Sequence, residues 1–116
     1  MDNTPLKDTT PLGMAQRLQE TIEHITLLCK QLDPTAEAKA TALVAFEGAY
    51  AMAELTRRDE GIPATLIRDV AKKDVRDDRF KNELAESKYK CLIVKIEAAK
   101  AILNAKQSQN KYLDTL

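Results

Sequence analysis

The side chains best suited to chemistry in this 116-residue chain are one histidine, two cysteines and a run of aspartates. None is spaced for a reaction. His24 sits with Thr21, Ile25 and Leu28 at helical spacing, and no serine or cysteine pairs with it as an activated nucleophile. Ser87 and Ser108 lie in helical surroundings without the strained turn that exposes a nucleophile. Cys29 and Cys91 belong to no CxxC or Cys/His cluster, and one histidine with two remote cysteines does not compose a zinc site. Asp74, Asp77 and Asp78 lack the glycine and terminal glutamate of a calcium loop, so helix capping explains them better. No glycine-rich phosphate loop occurs. The expectation is a protein that is not an enzyme and uses no cofactor or metal.

Charge offers a second kind of site. Arg57, Arg58, Arg68, Lys72, Lys73, Arg76 and Arg79 gather around one turn region and form a candidate contact for nucleic acid or an acidic partner. Asp59, Glu60, Asp69, Asp74, Asp77 and Asp78 are interleaved with them, which favours a self-neutralised, solvated surface. Overall the 18 basic and 18 acidic residues balance, so the composition itself does not point to nucleic acid. Their distribution is uneven. Residues 1–60 carry six basic and ten acidic side chains, whereas residues 79–116 carry eight and four. Aromatic residues make up only 4%, too few to interleave a stacking platform for single strands.

The elements that position these residues are helical. Thr10-Pro11 reads as an N-cap followed by a proline at the first helical position. From there Ala15, Leu18, Ile22, Ile25, Cys29 and Leu32 alternate steps of three and four, the seam of a coiled-coil contact. Asp33-Pro34 then predicts a second cap and an alanine-rich helix to about Glu60, apolar on two faces. One face holds Ala42, Leu43, Phe46, Ala49, Tyr50 and Ala53; the other holds Val44, Gly48, Ala51 and Leu55. Gly48 costs about 1 kcal/mol relative to alanine inside a helix, and a close helix contact would account for it. Gly61 and Pro63 end the helix.

A short helix is expected over Pro63–Lys73 with Leu66, Ile67 and Val70 inward, then a charged elbow from Lys72 to Arg79, then a last helix to about Asn110. That helix carries two apolar stripes. Phe80, Leu84, Cys91, Ala98 and Ile102 form one; Tyr89, Leu92, Ile96, Ala99 and Leu103 form the other. Lys81, Lys88 and Lys95 repeat by heptads between them. Pairing Glu47 with Lys95 and Glu54 with Lys88 gives an antiparallel register centred on Ala71.

The fold class that follows is all-α: an antiparallel helical hairpin or three-helix bundle with a short extra helix at the hairpin tip. Helix one is expected to pack on the hairpin through Leu18, Ile22, Ile25 and Cys29. A flexible segment over residues 1–9 precedes a single helical-bundle domain over residues 10–116. Both cysteines are read as small core residues, reduced and apart. The polar start and the lack of any apolar run of about 20 residues predict neither a signal peptide nor a membrane span, hence a cytoplasmic setting. Surplus apolar faces predict a homodimer or higher even oligomer, with Val44, Gly48, Ala51 and Leu55 or Tyr89, Leu92 and Ile96 at the interface.

From Ala36 to Tyr112 the chain shows an Ala-rich helix (AEAKATALVAFEGAYAMAEL), a glycine-containing break (RRDEGIPATLIRDVAKKD) and a long final helix ending near KQSQNKYL. This pattern resembles a type of small all-helical protein encoded by bacteriophages and prophages. The resemblance implies an intracellular accessory protein from early or recombination gene regions, in the host cytoplasm. Two functions fit. One is a module that binds a host or phage protein through apolar helix faces. The alternative is a nucleic-acid-binding accessory of recombination or replication, using the basic tip and the lysines of the last helix.

Overall fold

The break in the middle of the helical chain is built from a glycine and a proline. In a computed structural model, which describes residues 10–114, Gly61 takes a positive φ of 84°. Its N–H donates to the Arg58 carbonyl at 3.0 Å, and the Ile62 N–H donates to the Arg57 carbonyl at 3.1 Å. This is the paired closure that satisfies the last carbonyls of a helix. The next helix opens at Ala64, where the Pro63 carbonyl accepts from both Leu66 and Ile67.

Four helices occupy the described residues, and no strand is present among them: α1 (Pro11–Lys30), α2 (Leu32–Asp59), α3 (Ala64–Asp74) and α4 (Arg76–Asp114). The all-α expectation therefore holds. The segment expected to be flexible, residues 1–9, lies outside the described residues. None of the described helices is long and apolar enough to cross a membrane.

Thr10 caps α1 as expected, its Oγ1 accepting from the Gly13 N–H at 3.1 Å with Pro11 beside it. Asp33 does not cap α2, which already begins at Leu32 after a single residue, Gln31; Asp33 lies in the first turn, where its charge favours the positive helix end. The expected charged elbow is also helical. Only Val75 separates α3 from α4; its N–H bonds back to Ala71 at 3.2 Å and its carbonyl accepts from Arg79 at 2.9 Å. With both backbone groups paired, a buried valine replaces a solvated loop.

The chain divides into two compact units, one of Asp33–Lys90 and one of the residues up to Leu32 with those from Cys91 onward. In the latter, Leu28, Leu92, Ile96 and Ala99 are buried together, with Ile25 and Leu32 packed against them. Met14 and Thr21 are buried as well. The buried line of α1 is thus Met14, Thr21 and Leu28, flanked by half-buried Leu18, Ile25 and Leu32. Half of the expected seam was misplaced, since Ala15, Ile22 and Cys29 are exposed. A threonine in the true seam disguised it. Thr21 is tolerated there because its hydroxyl donates to the Arg17 carbonyl at 2.9 Å and accepts from Lys106 Nζ at 2.7 Å. The cysteines are likewise not core residues: Cys29 and Cys91 are both free thiols and both exposed.

In the Asp33–Lys90 unit the buried residues are Ile67, Ala71 and Val75, four residues apart on α3 and its junction. Helix α2 buries none of its 28 residues below the surface. Its half-buried line is Lys39, Ala42, Phe46, Ala49, Tyr50 and Ala53. Lys39 Nζ lies 5.5 Å from the Tyr89 ring centroid, a cation–π contact between α2 and α4. A register centred on Ala71 would set Lys39 against Leu103. The observed contact centres near Ala64 instead, a shift of about two heptads. Accordingly Glu47 shares a cleft with Lys72 and Arg79, and no ion pair joins Glu54 to Lys88.

The two central glycines should respond oppositely to alanine. A Cβ at Gly48 would meet nothing within 4 Å, so Gly48→Ala should stabilise dilute protein by up to about 1 kcal/mol. Gly61 also has open space, but its positive φ makes Gly61→Ala cost about 1–2 kcal/mol. Urea denaturation of both variants at low concentration checks the signs.

Candidate interaction faces

The outward side of α2 is an exposed apolar face in the Asp33–Lys90 unit. Because 3.6 residues complete a turn, Val44, Gly48, Ala51 and Leu55 project opposite to the half-buried line through Phe46 and Ala53. All four are exposed, Val44 at 68% and Leu55 at 50%, and Met52 at 63% widens the face. Together these five residues make a contiguous exposed apolar face, and the largest such patch on a monomer is often functional. Met52 was not among the expected interface residues; its position one residue past Ala51 was the available signal.

The second set of expected interface residues is placed differently. Leu92 and Ile96 are buried in the chain's own core with Leu28, and Tyr89 is half-buried beside Lys39. The other stripe of α4 faces outward. Phe80 and Leu84 are exposed in one unit, and Cys91, Ala98 and Ile102 in the other.

Among the basic residues, Arg57 is committed to structure. Its Nε and Nη2 donate to the two carboxylate oxygens of Asp74 at 2.8 and 2.7 Å, while Nη1 donates to Glu60 at 3.0 Å. This two-pronged clamp ties the end of α2 to the end of α3. Hydrogen bonding to Asp74 raises the Arg57 pKa further, and the same bonds hold the Asp74 carboxyl below its usual range. Arg79 pairs with Glu83 at 3.4 Å. Arg58, Arg68, Lys72, Lys73 and Arg76 are exposed. Lys72 and Arg79 also rim a cleft of about 450 Å³ whose apolar lining is Phe46, Tyr50 and Val75, with Glu47 among the rim residues.

The Asp74 clamp predicts an acid-limb effect of definite sign. A carboxylate with a depressed folded pKa adds stability above its unfolded value, about 3.9, and loses it as pH falls through the folded value. The melting-temperature difference between wild type and Asp74→Asn should be present at pH 7 and close below about pH 4. High salt should shrink it, because the pair is solvent-exposed. Thermal melts across pH and salt give the reading.

The residues considered for catalysis remain dispersed. His24 is exposed and lines an open cleft of about 610 Å³ with Glu20, Thr21, Lys95 and Lys106. Among the described residues no three His, Cys, Asp or Glu side chains gather where they could hold a metal ion. No family model, curated protein or solved structure matches this chain.

Proposed function

We propose that this chain is a non-enzymatic accessory protein, of the phage type it resembles, that binds a protein partner through apolar helix faces in the host cytoplasm and self-associates as a homodimer. The observation that carries the reading is α2: 28 residues, alanine-rich, without one buried side chain, and with a continuous apolar face turned to solvent. An amphipathic helix normally hides such a face. The arrangement behind the proposal is an antiparallel helical hairpin or small bundle tipped by α3, supported by the Lys39–Tyr89 and Arg57–Asp74 contacts.

Nucleic-acid binding is the second reading, favoured by the five exposed cations Arg58, Arg68, Lys72, Lys73 and Arg76. The Arg57 clamp and the interleaved acids weigh against it. Affinity capture with wild-type and Leu55→Glu baits, run beside titration of labelled duplex DNA over a range of salt, separates the two. The protein-binding reading expects a specific protein lost with Leu55→Glu and no salt-dependent DNA affinity. DNA binding abolished by Lys72→Glu and Lys73→Glu, with Leu55→Glu silent, would replace it.

A further inference from the structure

We infer that the outward face of α2 seats a second copy of this chain, laid antiparallel across a twofold axis midway between Gly48 and Ala51. This rests on the protein-binding reading and names the occupant. The face runs Thr41, Val44, Gly48, Ala51, Leu55, Arg58, with steps of three, four, three, four and three. That is a coiled-coil seam whose spacing reads the same in both directions. An antiparallel twofold contact uses this property, because residue i meets j of the second copy wherever j meets i. Reversing the helix on itself places Val44 against Leu55 of the second copy, Gly48 against Ala51, and Thr41 against Arg58.

The sizes match this pairing. Two large residues flank two small ones, so the backbones approach most closely at the axis, while Val44 and Leu55 close the contact on either side. Within one chain nothing comes within 4 Å of a Cβ at Gly48, so the space above it is open to a second helix. Charge selects the direction. The start of the face carries exposed Asp33 and Glu37; its end carries Arg58, with Asp59 at the edge. Antiparallel copies bring Arg58 over the Thr41 turn, within reach of Glu37 one turn further on. Parallel copies would set Asp33 and Glu37 against themselves. A standard interface buries roughly 800 Å² per partner, so the polar rim of the same helix joins the apolar face in the contact.

Dipolar spectroscopy on spin-labelled protein tests the geometry, in a background with the exposed cysteines replaced (Cys29→Ser, Cys91→Ser). Ala38 and Thr56 are both exposed and lie at the same angle around α2, off the seam. Labels at Ala38→Cys should lie about 35 Å apart along the axis and labels at Thr56→Cys about 20 Å. Light scattering should give twice the 13.0 kDa chain mass, and Ala51→Glu should return the protein to 13.0 kDa with its helical circular dichroism intact. Equal distances at both sites, or a dimer indifferent to Ala51→Glu, would overturn this inference while leaving the protein-binding reading in place. A wild-type monomer at every concentration would also overturn it. If that monomer still captures a protein that Leu55→Glu loses, the face serves a different partner. With neither self-association nor capture, the broader reading fails too.

Discussion

Replacing Ile96 with alanine should cost about 2–4 kcal/mol, whereas Ile102→Ala, six residues further along the same helix, should change stability by no more than about 0.5 kcal/mol. The two isoleucines share chemistry, backbone conformation and helix. They differ in what covers them. Ile96 is 6% exposed within the cluster of Leu28, Leu92 and Ala99, so its truncation removes buried methylenes and leaves a cavity among side chains that relax only in part. Ile102 is 52% exposed, and truncating it mostly removes surface already in water. Urea denaturation with an unchanged slope is the measurement, run at a single low protein concentration. A loss at Ile102 as large as that at Ile96 would show that the outward stripe of α4 is covered in solution, and that this stripe, not α2 alone, meets a partner.

Periodicity found the helices and the two stripes of α4 but could not say which stripe is inside. Both are apolar and spaced for a helix, and only the packing of α1 on Leu92, Ile96 and Ala99 decides between them. The same blindness misassigned half of α1. Cys29 and Ile22 look more apolar than Thr21, yet the buried line runs through Thr21, because a hydroxyl paired with the Arg17 carbonyl and with Lys106 of α4 is no longer costly to bury. Turn chemistry was more reliable. The roles of Thr10, Pro11 and Gly61 are fixed by backbone geometry, and those residues do what their types dictate. Register failed for a different reason. Charged residues from Lys72 to Arg79 suggested a loop and a reversal, but a junction of one buried valine keeps the chain helical there, and the α2–α4 contact moved with it. The candidate face on α2 was legible because the only signal needed was that one helix has two apolar sides.

The largest effect expected from any single substitution is at the centre of the small core on α3. Ala71→Asp should cost about 3 kcal/mol or more, whereas Ala64→Asp should be neutral or stabilising by about 0.3–1 kcal/mol. Ala71 is fully inaccessible, between Ile67 and Val75, and its carbonyl already accepts the Val75 N–H that joins α3 to α4. A carboxylate there has too short a stem to reach water. It must stay ionised without a partner or take up a proton, and either state burdens a unit with only Ile67 and Val75 buried beside it. Ala64, by contrast, opens α3 behind a proline that provides no side-chain cap, and the first turn contains no acidic residue. An aspartate at that position meets unpaired backbone N–H groups and the positive end of the helix dipole. Amide hydrogen exchange at Ile67, Ala71 and Val75, together with denaturation midpoints, distinguishes the two variants. Loss of protection in Ala71→Asp with a preserved or raised midpoint in Ala64→Asp is the expected pair. If Ala71→Asp is instead accepted with little loss, the α3 contact contributes little to the fold, and the stability of α2 rests on its other contacts, such as that of Lys39 with Tyr89 on α4.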